Sequence, residues 1–128
     1  MQLLADLSDE SDPVIIAGDF NSVAPQGETY QYVLSQGYSD TWLDNPLTYN
    51  ANGYTYGHRS DLKNSSPNFN IRIDYNFVKA DNDPTIGEAF ILGDETRDKT
   101  SSGLWPSDHG GVVTKITFPV INSKIASN

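Results

Sequence analysis

The chain contains no cysteine. Disulfides and thiolate metal centres are therefore excluded, and a divalent ion would have to use carboxylate, carbonyl, amide or imidazole ligands. Basic residues are also scarce: eight Lys and Arg face 17 Asp and Glu, a formal charge of −9 over 128 residues. A field of that sign repels polyphosphate, which disfavours non-specific coating of nucleic acid unless a basic patch or a cation intervenes. A nuclease is not excluded, because Mg2+ can bring a phosphate in. Most of the acids read simply as a solubilising surface. Long apolar runs are missing too. Val14-Ile15-Ile16-Ala17 falls far short of the about 20 residues that cross a bilayer, so no transmembrane segment is expected. No signal-peptide pattern is legible, and the compartment stays open.

What is present describes a folded domain. Apolar residues make up 37% and aromatics 11%, enough for one modest core rich in flat side chains that suit a sheet. Leu3, Leu4 and Leu7 recur at helical spacing, so residues 2–8 read as the last turns of an amphipathic helix. The run at 14–17 reads as a strand buried on both faces, ending at Gly18. Tyr30, Val33 and Leu34 predict a helix from about Glu28 to Gln36, closed by Gly37.

Further along, residues 44–52 read as loop, and Gly53 to Gly57 has strand composition. Asp61 to Asn70 is a polar excursion. Residues 71–78 alternate, with Ile71, Ile73, Tyr75 and Phe77 on one face and Arg72, Asp74 and Asn76 on the other. Strands are expected over 86–92 and 112–118, separated by a long loop anchored at Leu104-Trp105-Pro106. Residues 122–128 read as a frayed, flexible tail. The pattern is α+β, with a mixed, mainly antiparallel sheet and one or two helices on one face.

Three clusters hold groups able to do chemistry. After the first strand, Gly18 leaves room for Asp19 and Asn21, a carboxylate that can bind a cation or orient water and an amide that can donate to a phosphoryl oxygen. The same residues also make an ordinary turn. Within the alternating strand, Asp74 needs a partner such as Arg72, a histidine or water, unless it lies on a solvated face. Ahead of the last strand, Ser107-Asp108-His109-Gly110-Gly111 places two polar side chains on opposite sides of an extended backbone. One can hold a metal while the other faces a phosphate; a surface histidine is the plain alternative. Arg59, Lys63 and Arg72 form either a small basic rim or scattered solubilising charges. The loops at 59–70 and 93–106 are expected to flank the site.

Taken in order, Gly18-Asp19-Phe20-Asn21, Arg72-Ile73-Asp74-Tyr75 and Ser107-Asp108-His109 resemble the motifs of the endonuclease/exonuclease/phosphatase, or DNase I-like, superfamily. Gly53 to His58 resembles the aromatic-Thr-aromatic segment found between the first two. The resemblance implies half of a four-layered α/β-sandwich, with residues 1–121 as the C-terminal half of the domain. It implies a metal-dependent phosphoesterase that cleaves phosphodiesters or phosphomonoesters by metal-assisted attack of water.

The implied roles follow the matched positions. Asp19 activates the water or contacts the metal, and Asn21 stabilises the pentacovalent phosphate. Asp108 is a metal carboxylate, His109 contacts phosphate or moves a proton, and Asp74 orients His109. Arg72 would bind substrate. The N-terminal metal-binding Asn and Glu of the family do not precede Asp19, so Mg2+ or Mn2+ is expected to be weakly held. The substrate would be a small-molecule, lipid or nucleic-acid phosphate ester. A half-sandwich should also bare an apolar sheet face, open to a homodimer or a partner chain carrying the other half. Two readings from other classes remain: a non-catalytic truncated fragment or binding module of the same fold, and a carbohydrate- or protein-binding β-domain.

Overall fold

The apolar run at Val14 forms strand β1 (Val14–Asp19) in the computed structural model, which describes residues 2–43 and 52–119. Helix α1 (Gln2–Asp6) precedes it, and α2 (Glu28–Ser35), β2 (Ser39–Asp40), β3 (Asp74–Lys79), β4 (Thr85–Leu92) and β5 (Gly111–Thr117) follow. A short 3-10 turn, Thr96–Asp98, interrupts the loop between β4 and β5. The expected loop at 44–52 lies outside the described residues except for Asn52. So do the expected tail, 122–128, and the domain boundary at 121.

Two antiparallel sheets result, β1-β3-β2 and β4-β5. One face of the first sheet carries the larger core. Val14 and Ile16 of β1 and Tyr75 and Phe77 of β3 pack against Leu4, Phe20, Tyr30, Val33 and Tyr38. Both helices therefore sit on one face, as the apolar spacing of Tyr30 and Val33 requires. The aromatic rings meet edge-on or tilted, for example Phe20 with Phe77 at 5.1 Å between centroids, an arrangement their quadrupoles favour.

The other face of this sheet meets β5 through polar groups. Asn76 Nδ2 donates to Val112 O (3.1 Å) and lies 3.2 Å from Thr114 Oγ1, which in turn pairs with Thr41 Oγ1 at 3.1 Å. A smaller apolar cluster of Trp42, Ala89 and Ile91 extends this layer, with Phe69 and Val112 packed on it. Among the described residues, no helix is long and apolar enough to cross a membrane.

Three expectations are corrected. β1 is covered on one face only: Ile15 is 51% exposed, because β1 is an edge strand and β5 reaches over β3 rather than over it. The face expected to be apolar carries Asp74 and Asn76 beside Ile15 and Ala17, so the uniform patch that motivated a dimer is not there. The third correction concerns β3, which begins at Asp74 rather than at residue 71; ahead of it Ile71 makes only an isolated bridge to Tyr56. The alternation thus fails at Arg72, with a direct consequence for the site.

Candidate functional site

Asp19 closes β1 and Asp74 opens β3, and the two are directly paired across the ladder. Directly opposite side chains in an antiparallel pair project from the same face, so two carboxylates stand side by side. Gly18, with φ +147°, permits the backbone turn-out that presents Asp19 at the strand end. Asn21 follows with φ +46°, a left-handed conformation that Asn tolerates. Its backbone N–H and its Nδ2 both donate to the Asp19 carboxylate, at 2.7 and 3.0 Å. Asn21 thereby fixes the orientation of Asp19.

His109 joins the pair from the segment before β5. Its Nδ1 lies 3.0 Å from Asp74 Oδ2 and 3.2 Å from Oδ1. Ligand atoms of Asp19, Asp74 and His109 all fall within 4.8 Å of one another, a group able to hold a metal ion. Burial works against a charge on His109, but the Asp74 hydrogen bond and the charges of Asp74, Asp19 and Asp108 outweigh it and raise its pKa above the ordinary imidazole value. The Tyr56 ring packs against the imidazole, centroids 4.7 Å apart.

The segment around Thr55 holds the second and third motifs together. Tyr56 bridges both Ile71 and His109, and Thr55 O accepts the Gly110 N–H at 2.6 Å. The fully buried Thr55 hydroxyl oxygen accepts from the N–H groups of Ile73 (3.2 Å) and Asp74 (3.1 Å), bonding the start of the strand that carries Asp74. Gly110 must be glycine for this approach, since a Cβ there would lie 2.6 Å from Ile91 Cγ2. The aromatic-Thr-aromatic composition was visible in the sequence; that the hydroxyl caps the start of β3 was not.

Two named residues stand apart from the trio. Asp108 is not a member of the cluster; its backbone O accepts the Gly57 N–H, while its carboxylate acts on His109 through charge. Arg72 is 7% exposed and turned to the opposite, aromatic face. Its Nη1 lies 2.5 Å from Asp40 Oδ2, and its guanidinium sits over the rings of Tyr75 (5.0 Å) and Tyr30 (5.6 Å). The physical reason is Asp40, a buried carboxylate that needs a counter-charge. Asp40 also accepts the Tyr30 hydroxyl at 2.8 Å; burial first, then this contact, pushes the Tyr30 pKa up to about 12. The expected substrate-binding role of Arg72 gives way to a structural one. Of the remaining basic rim, exposed Arg59 pairs with Asp61 at 2.8 Å.

Comparison with known proteins bears on this geometry. The pattern of the Endonuclease/Exonuclease/phosphatase family matches residues 1–109. An endonuclease/exonuclease/phosphatase family protein from Leptotrichia buccalis C-1013-b is similar in structure, with TM-score 0.62 and 26% identity over 91% of this chain and 41% of that one. A family protein from Bacteroides thetaiotaomicron has TM-score 0.66 and 25% identity over 93% of this chain and 42% of its own. The chain thus spans about two fifths of either solved structure. No curated protein matches it. With its motifs in order and most of its length matched, the chain belongs to the endonuclease/exonuclease/phosphatase family and has a fold of the phosphoesterase and nuclease type.

Proposed function

We infer that Asp19, Asp74 and His109 form part of the site of a metal-dependent phosphoesterase, which hydrolyses phosphodiester or phosphomonoester bonds by attack of water. The observation that carries this reading is the direct cross-strand pairing of Asp19 with Asp74 beneath His109. Like charges placed directly opposite are destabilising and call for a neutralising cation. A phosphate ester adds further negative charge, while Arg72 and Arg59 are already paired with Asp40 and Asp61.

The carboxylates supply the oxygen ligands that Mg2+ or Mn2+ prefers, while His109 stays available to the substrate. Asp19 is the proposed ligand in this cluster, with Asp108 as a neighbouring carboxylate. Such an ion supplies Lewis-acid polarisation of a phosphoryl oxygen and a more acidic water. Mg2+ prefers near-octahedral oxygen coordination, so so few ligands hold it weakly.

The chain's own groups divide the remaining work. Asp74 engages Nδ1 of His109 and leaves Nε2 for the substrate. The imidazolium, favoured by the surrounding carboxylates, donates its Nε2 proton to the leaving oxygen. Asp19 takes a proton from water as the new O–P bond forms and the ester P–O bond breaks, giving a phosphate and an alcohol. Asn21 Nδ2 has a second hydrogen beyond the one given to Asp19, and that hydrogen stabilises the pentacovalent phosphate. The acidic balance favours small or lipid phosphate esters over long duplex nucleic acid.

A second reading rests on length. Because the chain spans about two fifths of the related structures, it can be a non-catalytic fragment or binding module of the fold. Hydrolysis of bis-p-nitrophenyl phosphate with Mg2+ or Mn2+ separates the two. Cation-stimulated turnover that His109→Ala abolishes supports the phosphoesterase; no turnover in the wild type supports the fragment.

A further inference from the structure

His58 is buried, at 5% exposure, and lies outside the Asp19–Asp74–His109 cluster. Its ring is stacked between Phe69 and Trp105, with centroids 4.1 Å away on each side. Phe69 belongs to the 59–70 loop and Trp105 to the loop between β4 and β5. The two ring nitrogens join the same loops: Nε2 is 2.9 Å from Gly93 O, and Nδ1 is 3.1 Å from Asn64 Nδ2.

These partners define the ring's hydrogens. A carbonyl only accepts, so Nε2 carries the hydrogen given to Gly93 O. The Asn64 amide is oriented by its other bonds: Oδ1 accepts the Arg59 N–H at 3.2 Å, and Nδ2 donates to Ser66 O at 2.6 Å. Nδ2 is therefore also the donor to His58, and Nδ1 must present a lone pair. A second proton on the ring would set one N–H against another. The amide cannot turn over to accept it without abandoning both Arg59 and Ser66.

The surrounding charges do not relieve this conflict. Lys99 Nζ lies 4.9 Å from the Trp105 ring centroid and donates to Asn64 O at 2.8 Å, adding positive charge to the same pocket. Asp98 is committed to the N–H groups of Gly93 (2.9 Å) and Glu95 (3.1 Å), and Asp94 adjoins Gly93 in the chain. Arg59 is paired with Asp61. The faces of Phe69 and Trp105 attract a cation, but they supply no acceptor for Nδ1.

We propose that His58 is a pH-sensitive latch, clasping the 59–70 loop to the β4–β5 loop while neutral and releasing them when its ring gains a second proton. Trp105 reports the clasp directly, since its indole Nε1–H donates to Asn64 O at 2.7 Å. The latch is independent of whether the neighbouring cluster hydrolyses phosphate esters.

Nitrogen-15 NMR of the whole chain between about pH 8 and about pH 5, the range in which imidazoles change charge, tests it. In the wild type the Trp105 indole and Arg59 amide signals should shift and broaden in step with His58 titration, while the Phe77 amide in the aromatic core stays unchanged. His58→Gln keeps a donor for Gly93 O and an acceptor for Asn64 without a titrating group, so its loop signals should be independent of pH. Asn64→Asp gives up the donation to Ser66 O but offers a protonated Nδ1 an acceptor. Its loops should therefore be held better at the acid end than at the alkaline end, the reverse of the wild type; it decides the matter if His58→Gln does not fold. Loop signals unmoved while His58 titrates, an identical pH response in His58→Gln, or a wild-type-like opening toward acid in Asn64→Asp would each overturn the proposal.

Discussion

Asp19 and Asp74 are direct partners across the β1–β3 ladder, so both carboxylates leave the sheet on one face with His109 bonded to the second of them. Lys79, the one cation in the two strands, lies at the far end of β3 against the Tyr38 ring, and the aromatic core lies on the opposite face. In the proposed function this pairing puts the His109–Asp74 contact to use in proton transfer and cation binding.

Replacing Asp74 by Asn leaves a carbonyl that can still accept from His109 Nδ1 but removes the carboxylate charge that raises the His109 pKa. A raised folded-state value means that the folded chain holds the proton more tightly than the unfolded chain. The resulting stability is complete below the unfolded imidazole value of about 6.5 and is lost as pH rises through the raised folded value. Asp74→Asn should lower the His109 midpoint in an NMR titration and erase the extra stability on the acid side of that window. An unchanged midpoint would separate the two residues energetically.

Thr55→Val should destabilise the chain by about 1–3 kcal/mol, because the buried N–H groups of Ile73 and Asp74 lose their hydroxyl acceptor. Thr55→Ser keeps that oxygen and should recover most of the loss. Urea denaturation of the three proteins measures both, and equal stability of the valine and serine variants would show that the hydroxyl is idle.

Arg72→Met should cost about 3–5 kcal/mol, because it strands the Asp40 carboxylate in the interior. Adding Asp40→Asn should restore much of that stability, a coupling that a double-mutant cycle reads directly. Additive losses would contradict the buried pair and return Arg72 to consideration as a surface cation.

Much of this was legible in the sequence. The helix at Tyr30 and Val33, the strand at Val14 and the last two strands follow from apolar spacing, and Asp74 was seen to need a partner such as a histidine. Arg72 misled because strict alternation assumes an unbroken strand through residue 72, whereas the ladder begins only at Asp74. Its true partner, Asp40, lies in the two-residue strand β2, which is too short to produce a periodic signal. Ile15 misled for a related reason: a four-residue apolar run looks the same whether one face or both are covered. The latch at His58 depends on two loops meeting, and no local pattern encodes such a meeting.

The central claim is that Asp19, Asp74 and His109 act as one cation-assisted phosphate site. Paramagnetic broadening by Mn2+, followed by NMR in the wild type and in Asp19→Asn, tests it most directly. Broadening at low Mn2+ should centre on Asp19, Asp74 and the His109 ring and collapse in the variant. Broadening spread over separate acids such as Asp61, Asp81 and Glu95, or indifferent to Asp19→Asn, would contradict it.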